Sequence, residues 1–257
     1  MKGDALVDVE QQNELLLVKL NRPDKRNAVN EELLLCLEAV FSAVPTGIKC
    51  AVLHSEGPHF SAGLDLNELK ERDLIDGMQH SRTWHRALDQ IQFGPVPVVA
   101  VLRGACIGGG LEIAAACHIR VAEQGTFYAL PEGQRGIFVG GGASVRLPKL
   151  MGMARMADMM FTGRMLTADE GLTLGLSQYI TPPDAGLAKG IELARKIAQN
   201  TPMTNYALMH ILPRITDSAH AEGLLLESLT VAMAQSLPEA KQRLTAFLDG
   251  KAPKAFQ

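Results

Sequence analysis

The stretch Arg103-Gly104-Ala105-Cys106-Ile107-Gly108-Gly109-Gly110-Leu111-Glu112 constrains the fold of this chain more than any other. Before it lies an apolar run, Val96 to Leu102, that is short, rich in valine and bounded by Pro95 and Gly104, the pattern of a buried strand. After it, Leu111 to Cys117 reads as the start of a buried helix. Three consecutive glycines leave the backbone bare at that junction, so N–H groups at the helix start are free to approach an oxygen carrying negative charge. Glu112 stands beside them in an otherwise apolar helix. Together these features predict an oxyanion site with an acid or base next to it. Glycine turns between strand and helix are also common in α/β proteins, and the helix dipole alone favours a glutamate in a first turn. The rest of the chain has to decide between the two.

A chain of 257 residues, 47% hydrophobic and 21% charged, has room for one large domain or two small ones with a sizeable core. The net charge is −3 and the basic residues are not blocked together, which speaks against a nucleic-acid groove or a membrane surface. No run has the length of a transmembrane helix, and Met1-Lys2-Gly3-Asp4 lacks the apolar core of a signal peptide, so a cytoplasmic protein is expected. Cys36, Cys50, Cys106 and Cys117 show no CxxC spacing and are expected to be reduced core residues. The seven histidines have no metal-site spacing, and no bound metal is expected.

In chain order, residues 4–20 read as a hairpin, Ala5 to Val9 and Leu15 to Leu20, turning at Gln11-Gln12-Asn13. A charged loop, Asn21 to Ala28, leads to a helix capped by Asn30 and running to about Ala43. Cys50 to His54 reads as a buried strand. The loop that leaves it, Ser55 to Leu66, carries Gly57 and Gly63 and occupies the kind of strand end where α/β proteins place ligands. Asp65 there reads either as an N-cap or as a catalytic carboxylate. Residues 66–92 are polar and helical, with the only tryptophan at Trp84. Strands are expected at His118 to Ala122 and Thr126 to Leu130, followed by Pro131-Glu132 and a glycine-rich loop without a P-loop or dinucleotide ending. Helices are expected near 143–150, 151–161, 168–174, 186–200, 202–211, 219–235 and 238–248, with Thr167 and Glu170 as a capping box. The methionines at 151, 153, 156, 159 and 160 read as packing residues.

Three segments in this order are specific when taken together: Phe60-Ser61-Ala62-Gly63-Leu64-Asp65-Leu66, then Ile107-Gly108-Gly109-Gly110-Leu111-Glu112, then Leu130-Pro131-Glu132 ahead of a glycine run ending in Ser144-Val145-Arg146-Leu147-Pro148. The arrangement resembles the crotonase (enoyl-CoA hydratase/isomerase) superfamily, from the strand before Arg22-Pro23 to the Phe-Leu-Asp-Gly-Lys tail. Thr162-Gly163-Arg164, Ala168 and Gly175-Leu176 also look like that family's helical segment.

The resemblance implies an α/β fold, a spiral of ββα units over 1–195, followed by a helical C-terminal trimerisation region over 196–257. It implies a homotrimer or homohexamer that acts on a coenzyme A thioester, with no permanently bound cofactor. The N–H groups of Leu64 and Gly109 would hold the thioester oxygen. Glu112 would activate water and Glu132 would supply the α-carbon proton, the two acting as a coupled pair. Coenzyme A would be bound by Lys25, Arg26, Ala28, Ala62, Asp65, Leu66, Phe247 and Lys251. The joint presence of both glutamates favours hydration of a 2-enoyl-CoA to a 3-hydroxyacyl-CoA. The alternatives are isomerisation or hydration followed by carbon–carbon cleavage of a bulky or aromatic acyl-CoA, and, from another class, an RNA-binding relative or an oligomeric scaffold. Leu130, Gly133, His118 and the Val139-Gly140-Gly141-Gly142-Ala143 loop depart from the family pattern, and the extra glycines suggest a widened acyl pocket.

Overall fold

The computed structural model describes residues 5–68 and 71–251. The expected hairpin's Asp4, positions 69–70 of the expected 66–92 helix, positions 252–257 of the C-terminal region and the side chain of Leu66 lie outside the described residues. The chain forms two compact units, Met1–Ile197 and Ala198–Gln257.

The first unit is built on a six-stranded sheet. β1 (Val7–Gln12) and β2 (Leu15–Leu20) form an antiparallel hairpin whose turn lies at Asn13, with φ at 54°, so Gln11 and Gln12 belong to the strand and not to the turn. β3 (Cys50–Ser55), β4 (Val98–Leu102), β6 (Ile119–Glu123) and β9 (Tyr179–Thr181) extend it in parallel, in the order β1-β2-β3-β4-β6-β9. A second, three-stranded sheet consists of β5 (Ala105–Ile107), β7 (Phe127–Ala129) and β8 (Leu166–Thr167). Two successive units each send their first strand to the large sheet and their second to the small one before a helix follows. Thus β4-β5 precedes α3 (Gly109–Ala116), and β6-β7 precedes α4 (Ala143–Met151).

The continuous apolar runs follow from burial on both faces. Leu16, Val18, Leu20, Ala51, Leu53, Val98, Ala100 and Leu102 join the main core with α3, α4, α1 (Glu31–Ser42) and α2 (Leu74–Gln92). On the opposite face α7 (Gly186–Ala198) lies so close that a Cβ on Gly190 would meet Val101 at 2.6 Å and Val52 at 3.3 Å. Alternation along each strand thus divides the valines between two layers.

The stretch 103–112 is not one junction between a strand and a helix, because the chain changes sheets inside it. Gly104 makes the switch with φ at 50°, and any Cβ there would run into the Pro58 carbonyl oxygen. The 66–92 segment also departs from one helix: a 3-10 turn, Leu66–Glu68, precedes α2, which starts afresh with the Asp73 side chain accepting the Asp76 N–H at 2.8 Å. α5 (Met153–Thr162) is separated from α4 by Gly152, and α6 (Ala168–Leu174) carries the expected capping box of Thr167 and Glu170.

In the second unit, α8 (Pro202–Tyr206) passes through a π-helical turn, Ala207–Ile211, into α9 (Leu212–Asp217). Pro213 lacks the N–H that a regular helix needs, and widening the preceding turn accommodates it. α10 (His220–Ser236) and α11 (Pro238–Leu248) follow. Among the described residues no helix is long and apolar enough to cross a membrane.

The sheet switch is sensitive to a single substitution. Gly104→Ala should lower unfolding stability by on the order of 3 kcal/mol, from strained φ plus the clash. Gly77→Ala, in helix α2 with open space around its Cβ, should raise it by about 1 kcal/mol. Denaturant titration of both variants measures the contrast.

Candidate active site

The loop Phe60–Asp65 is fastened to the charged loop before α1. Asn27, fully buried with φ at 52°, donates from its side-chain amide to the carbonyls of Glu56 and His59, both at 2.8 Å. Ser61 Oγ donates to the Asn27 carbonyl at 2.7 Å and accepts the Gly63 N–H at 3.2 Å. The Ala62 N–H donates to the Arg26 carbonyl at 3.0 Å. Arg22 pairs with Asp65 at 2.9 Å. Asp65 also accepts the Asn67 N–H at 3.1 Å, and that amide, then the Arg22 guanidinium, holds its carboxyl below the usual range. Of the two readings of Asp65, the structure has it cap the 3-10 turn, and the ion pair adds a tie to the neighbouring loop. Lys25, Arg26, Ala28, Ala62, Asp65 and Leu66 therefore fall on two interlocked loops. Phe247 and Lys251 are exposed residues of the second unit, with Lys251 paired to Asp249 at 3.1 Å.

This loop then packs on the start of α3. Ser61 bridges to β5: its N–H donates to the Ala105 carbonyl at 2.9 Å, and its carbonyl accepts the Ile107 N–H at 3.1 Å. A Cβ on Gly110 would meet Ser61 Cβ at 2.6 Å, and one on Gly109 would meet the Trp84 ring at 2.6 Å. The same hypothetical Cβ on Gly109 lies 3.6 Å from the Leu64 nitrogen, and one on Gly63 lies 3.6 Å from the Gly109 nitrogen, so the two backbone segments are in close contact. Not all the glycine N–H groups are free, as the sequence reading had it. The Gly108 N–H donates to the Ala129 carbonyl at 2.9 Å. The N–H groups of Leu64 and Gly109 have no acceptor among the described residues.

Leu64, Gly109, Glu112 and Glu132 line one cavity of about 520 Å³, together with Trp84 and the Ile137–Gly141 segment. Glu112 is only 4% exposed; Gly141 and Ala143 donate their N–H groups to its Oε1 at 2.8 and 3.0 Å. Burial pushes its carboxyl up to about 7 against those two bonds, and the neighbouring charge of Glu132 adds to the rise. Glu132 is also raised by burial, and its buried Oε2 has no hydrogen-bond partner. Gly108 is required here as well: at φ 48° a Cβ would occupy the place of Glu132 Oε1.

Sequence reading missed several contributors. Trp84 is wedged against Gly109 and Gly141, where a Cβ would meet its ring at 2.6 and 2.9 Å. Arg146 ties the glycine loop to α2, donating to the Gly141 carbonyl at 2.9 Å, to Gln92 at 2.6 Å and to Asp89 at 2.8 Å. Arg72, His80, Ser81 and Arg135 also line the cavity. The only sequence signal for Trp84 was its uniqueness. The departure at Gly133 has a different consequence from the one expected: Gly133 does not widen the cavity but packs on the Met160 carbonyl of α5. His118 bonds the backbone on both sides, accepting the Val98 N–H at 3.0 Å through Nδ1 and meeting the Gln92 carbonyl at 3.0 Å through Nε2. No His, Cys, Asp and Glu grouping fit for a metal occurs among the described residues.

The sequence profile of the enoyl-CoA hydratase/isomerase family matches residues 10–256. The 2,3-dehydroadipyl-CoA hydratase of Escherichia coli (strain K12) is 31% identical over 95% of this chain and 96% of its own length. The short-chain-enoyl-CoA hydratase of Clostridium acetobutylicum is 28% identical over 98% and 97%. The crystal structure of a candidate enoyl-CoA hydratase of Rhodopseudomonas palustris CGA009 is 53% identical, with a TM-score of 0.93 over 96% of this chain and 95% of that one.

The raised carboxyl of Glu112 makes a stability prediction that is independent of catalysis. Its folded-state pKa of about 7 lies above the ordinary 4.5, so stability is lost as pH rises between the two and stays lost above. The full cost is roughly 3 kcal/mol. Glu112→Gln, which keeps the acceptor for both amides, should therefore gain stability relative to wild type between pH 4.5 and pH 8. Denaturation curves at several pH values measure this, and a difference that does not move with pH contradicts it.

Proposed function

The chain belongs to the enoyl-CoA hydratase/isomerase family, and from that premise we propose that it adds water across the double bond of a 2-enoyl-CoA to give a 3-hydroxyacyl-CoA. The observation that carries this reading is the convergence of two unpartnered amides and two pKa-raised carboxyls on one cavity. A thioester oxygen accepting from Leu64 and Gly109 draws electrons from the conjugated double bond and leaves the β-carbon open to water. As the enolate forms, those donors strengthen with no reorganisation, each worth about 3 kcal/mol in a dry site.

The two carboxyls divide the proton traffic. Two N–H donors on one oxygen of Glu112 offset part of the burial that raises it to about 7, and above that pH it is ionised and takes the proton from water as the hydroxyl oxygen bonds to the β-carbon. Glu132, with a bare buried oxygen, favours its neutral form and delivers its proton to the α-carbon. The addition ends with Glu112 protonated and Glu132 ionised; proton exchange with solvent resets the pair, and reversal gives dehydration.

Coenzyme A binding falls to the interlocked loops carrying Lys25, Arg26, Ala28, Ala62, Asp65 and Leu66; Phe247 and Lys251, the other positions the resemblance implies, belong to the C-terminal unit. The latter unit is the trimerisation region of a homotrimer or homohexamer. Its exposed Leu224, Leu225, Leu229, Phe247 and Leu248 support a surface that another copy covers.

Loss of conjugated-enoyl absorbance with a panel of short, long and aromatic enoyl-CoAs tests the reaction. Glu112→Gln and Glu132→Gln should each lower hydration by about 10²- to 10⁴-fold. Because Glu112 must be ionised, the wild-type rate should climb as pH rises through about 7. Hydration that survives Glu112→Gln undiminished contradicts the assignment, and retained isomerisation with lost hydration points to Glu132 as the main base.

A further inference from the structure

Two arginines line the same cavity without a use in the chemistry above. Arg135 closes the 3-10 turn Gly133–Arg135 that directly follows Glu132, and Arg72 sits immediately before the cap of α2. Neither guanidinium has an ion pair or a hydrogen-bond acceptor among the described residues, and of the arginines in that state these two line the cavity. Their neighbours around the cavity are Trp84, Ile107, Ile137, Phe138 and Val139. Arg135 is exposed and Arg72 half-buried, so two cationic groups reach the rim of an otherwise apolar cavity, a place that a purely hydrocarbon acyl chain would leave without a partner for them.

We propose that the acyl group hydrated here ends in a carboxylate, held by Arg135 and Arg72. The substrate class is therefore the mono-coenzyme-A thioester of an unsaturated dicarboxylic acid. The inference rests on the hydratase reading and narrows its substrate. Placement of the thioester at Leu64 and Gly109 divides the ligand into two parts. Of the loop positions Lys25, Arg26, Ala28, Ala62 and Asp65, Ala62 alone lines the cavity, next to Leu64, so the wall beyond Glu132 faces the acyl side. Charge selects in the same direction. Glu112, ionised for the reaction, would repel a second carboxylate unless cations met it, and a guanidinium fork matches a carboxylate with two parallel hydrogen bonds. Occupying Arg135 also has a catalytic consequence. Its charge pulls the Glu132 carboxyl down, and a bound carboxylate would offset that pull, keeping Glu132 protonated for delivery to the α-carbon.

The test compares kcat/KM for two 2-enoyl-CoA thioesters of equal chain length, one ending in methyl and one in carboxylate. Wild type should prefer the carboxylate by roughly 10- to 100-fold, the worth of a charge-assisted pair. Arg135→Leu and, on a separate segment, Arg72→Leu should each collapse that ratio, and Arg135→Lys should restore part of it. Equal rates or a methyl preference in wild type overturns the proposal and leaves the hydratase reading standing. So does an equal loss on both substrates accompanied by weaker binding of coenzyme A alone, which assigns the arginines to coenzyme phosphates. Hydration of neither substrate overturns the hydratase reading and this proposal with it.

Discussion

The close approach of the Ser61–Leu64 loop to the first turn of α3 is the contact on which the rest of the site depends. The Ser61 bridge to β5 spends backbone groups of residues 61, 105 and 107 on one another and leaves the amides of Leu64 and Gly109 without an acceptor among the described residues. Glycine at 109 and 110 is what permits the approach, because side chains there would collide with Trp84 and Ser61. The glycines serve less as flexible hinges than as the absence of obstacles. Asn27, Ser61 and Arg22 supply the ties that hold the loop in place from the other side.

The helix that presents Gly109 and Glu112 is fixed at its far end by a buried cation. Arg120, only 3% exposed, donates to the carbonyls of Cys117 and Ala114 at the end of α3 at 2.5 and 3.3 Å, and to Leu176 at 2.6 Å. Its positive charge complements the negative end of the helix dipole in a setting where solvent screens little. Eight buried residues of α3 thus lie between a satisfied C-terminus and an N-terminus with an amide left over. Stability and chemistry pull apart at Glu112. The burial that raises its carboxyl also makes its ionised form costly, and two amides from the glycine loop recover only part of that cost.

Much of this was legible from residue order. Val96–Leu102, the glycine triplet and Glu112 gave the junction, and the three motifs together gave the family. The exchange of sheets at Gly104 was not legible, because a three-residue strand such as Ala105–Ile107 leaves no periodicity to read. Trp84 and Arg146 come from α2 and α4, and only the folded packing brings them to Gly141; no local spacing encodes it. Gly133 shows the opposite error. A glycine near the acyl pocket suggested extra room, whereas its bareness serves the approach of α5.

The central claim is that the amides of Leu64 and Gly109 polarise a thioester carbonyl. Isotope-edited infrared spectroscopy of a 2-enoyl-CoA labelled with ¹³C at that carbonyl, bound to the Glu112→Gln variant so that it is not consumed, reads the polarisation directly. The account predicts a carbonyl stretch displaced to lower frequency than that of the same thioester free in water. A bound thioester whose stretch stays at or above its value in water would contradict it.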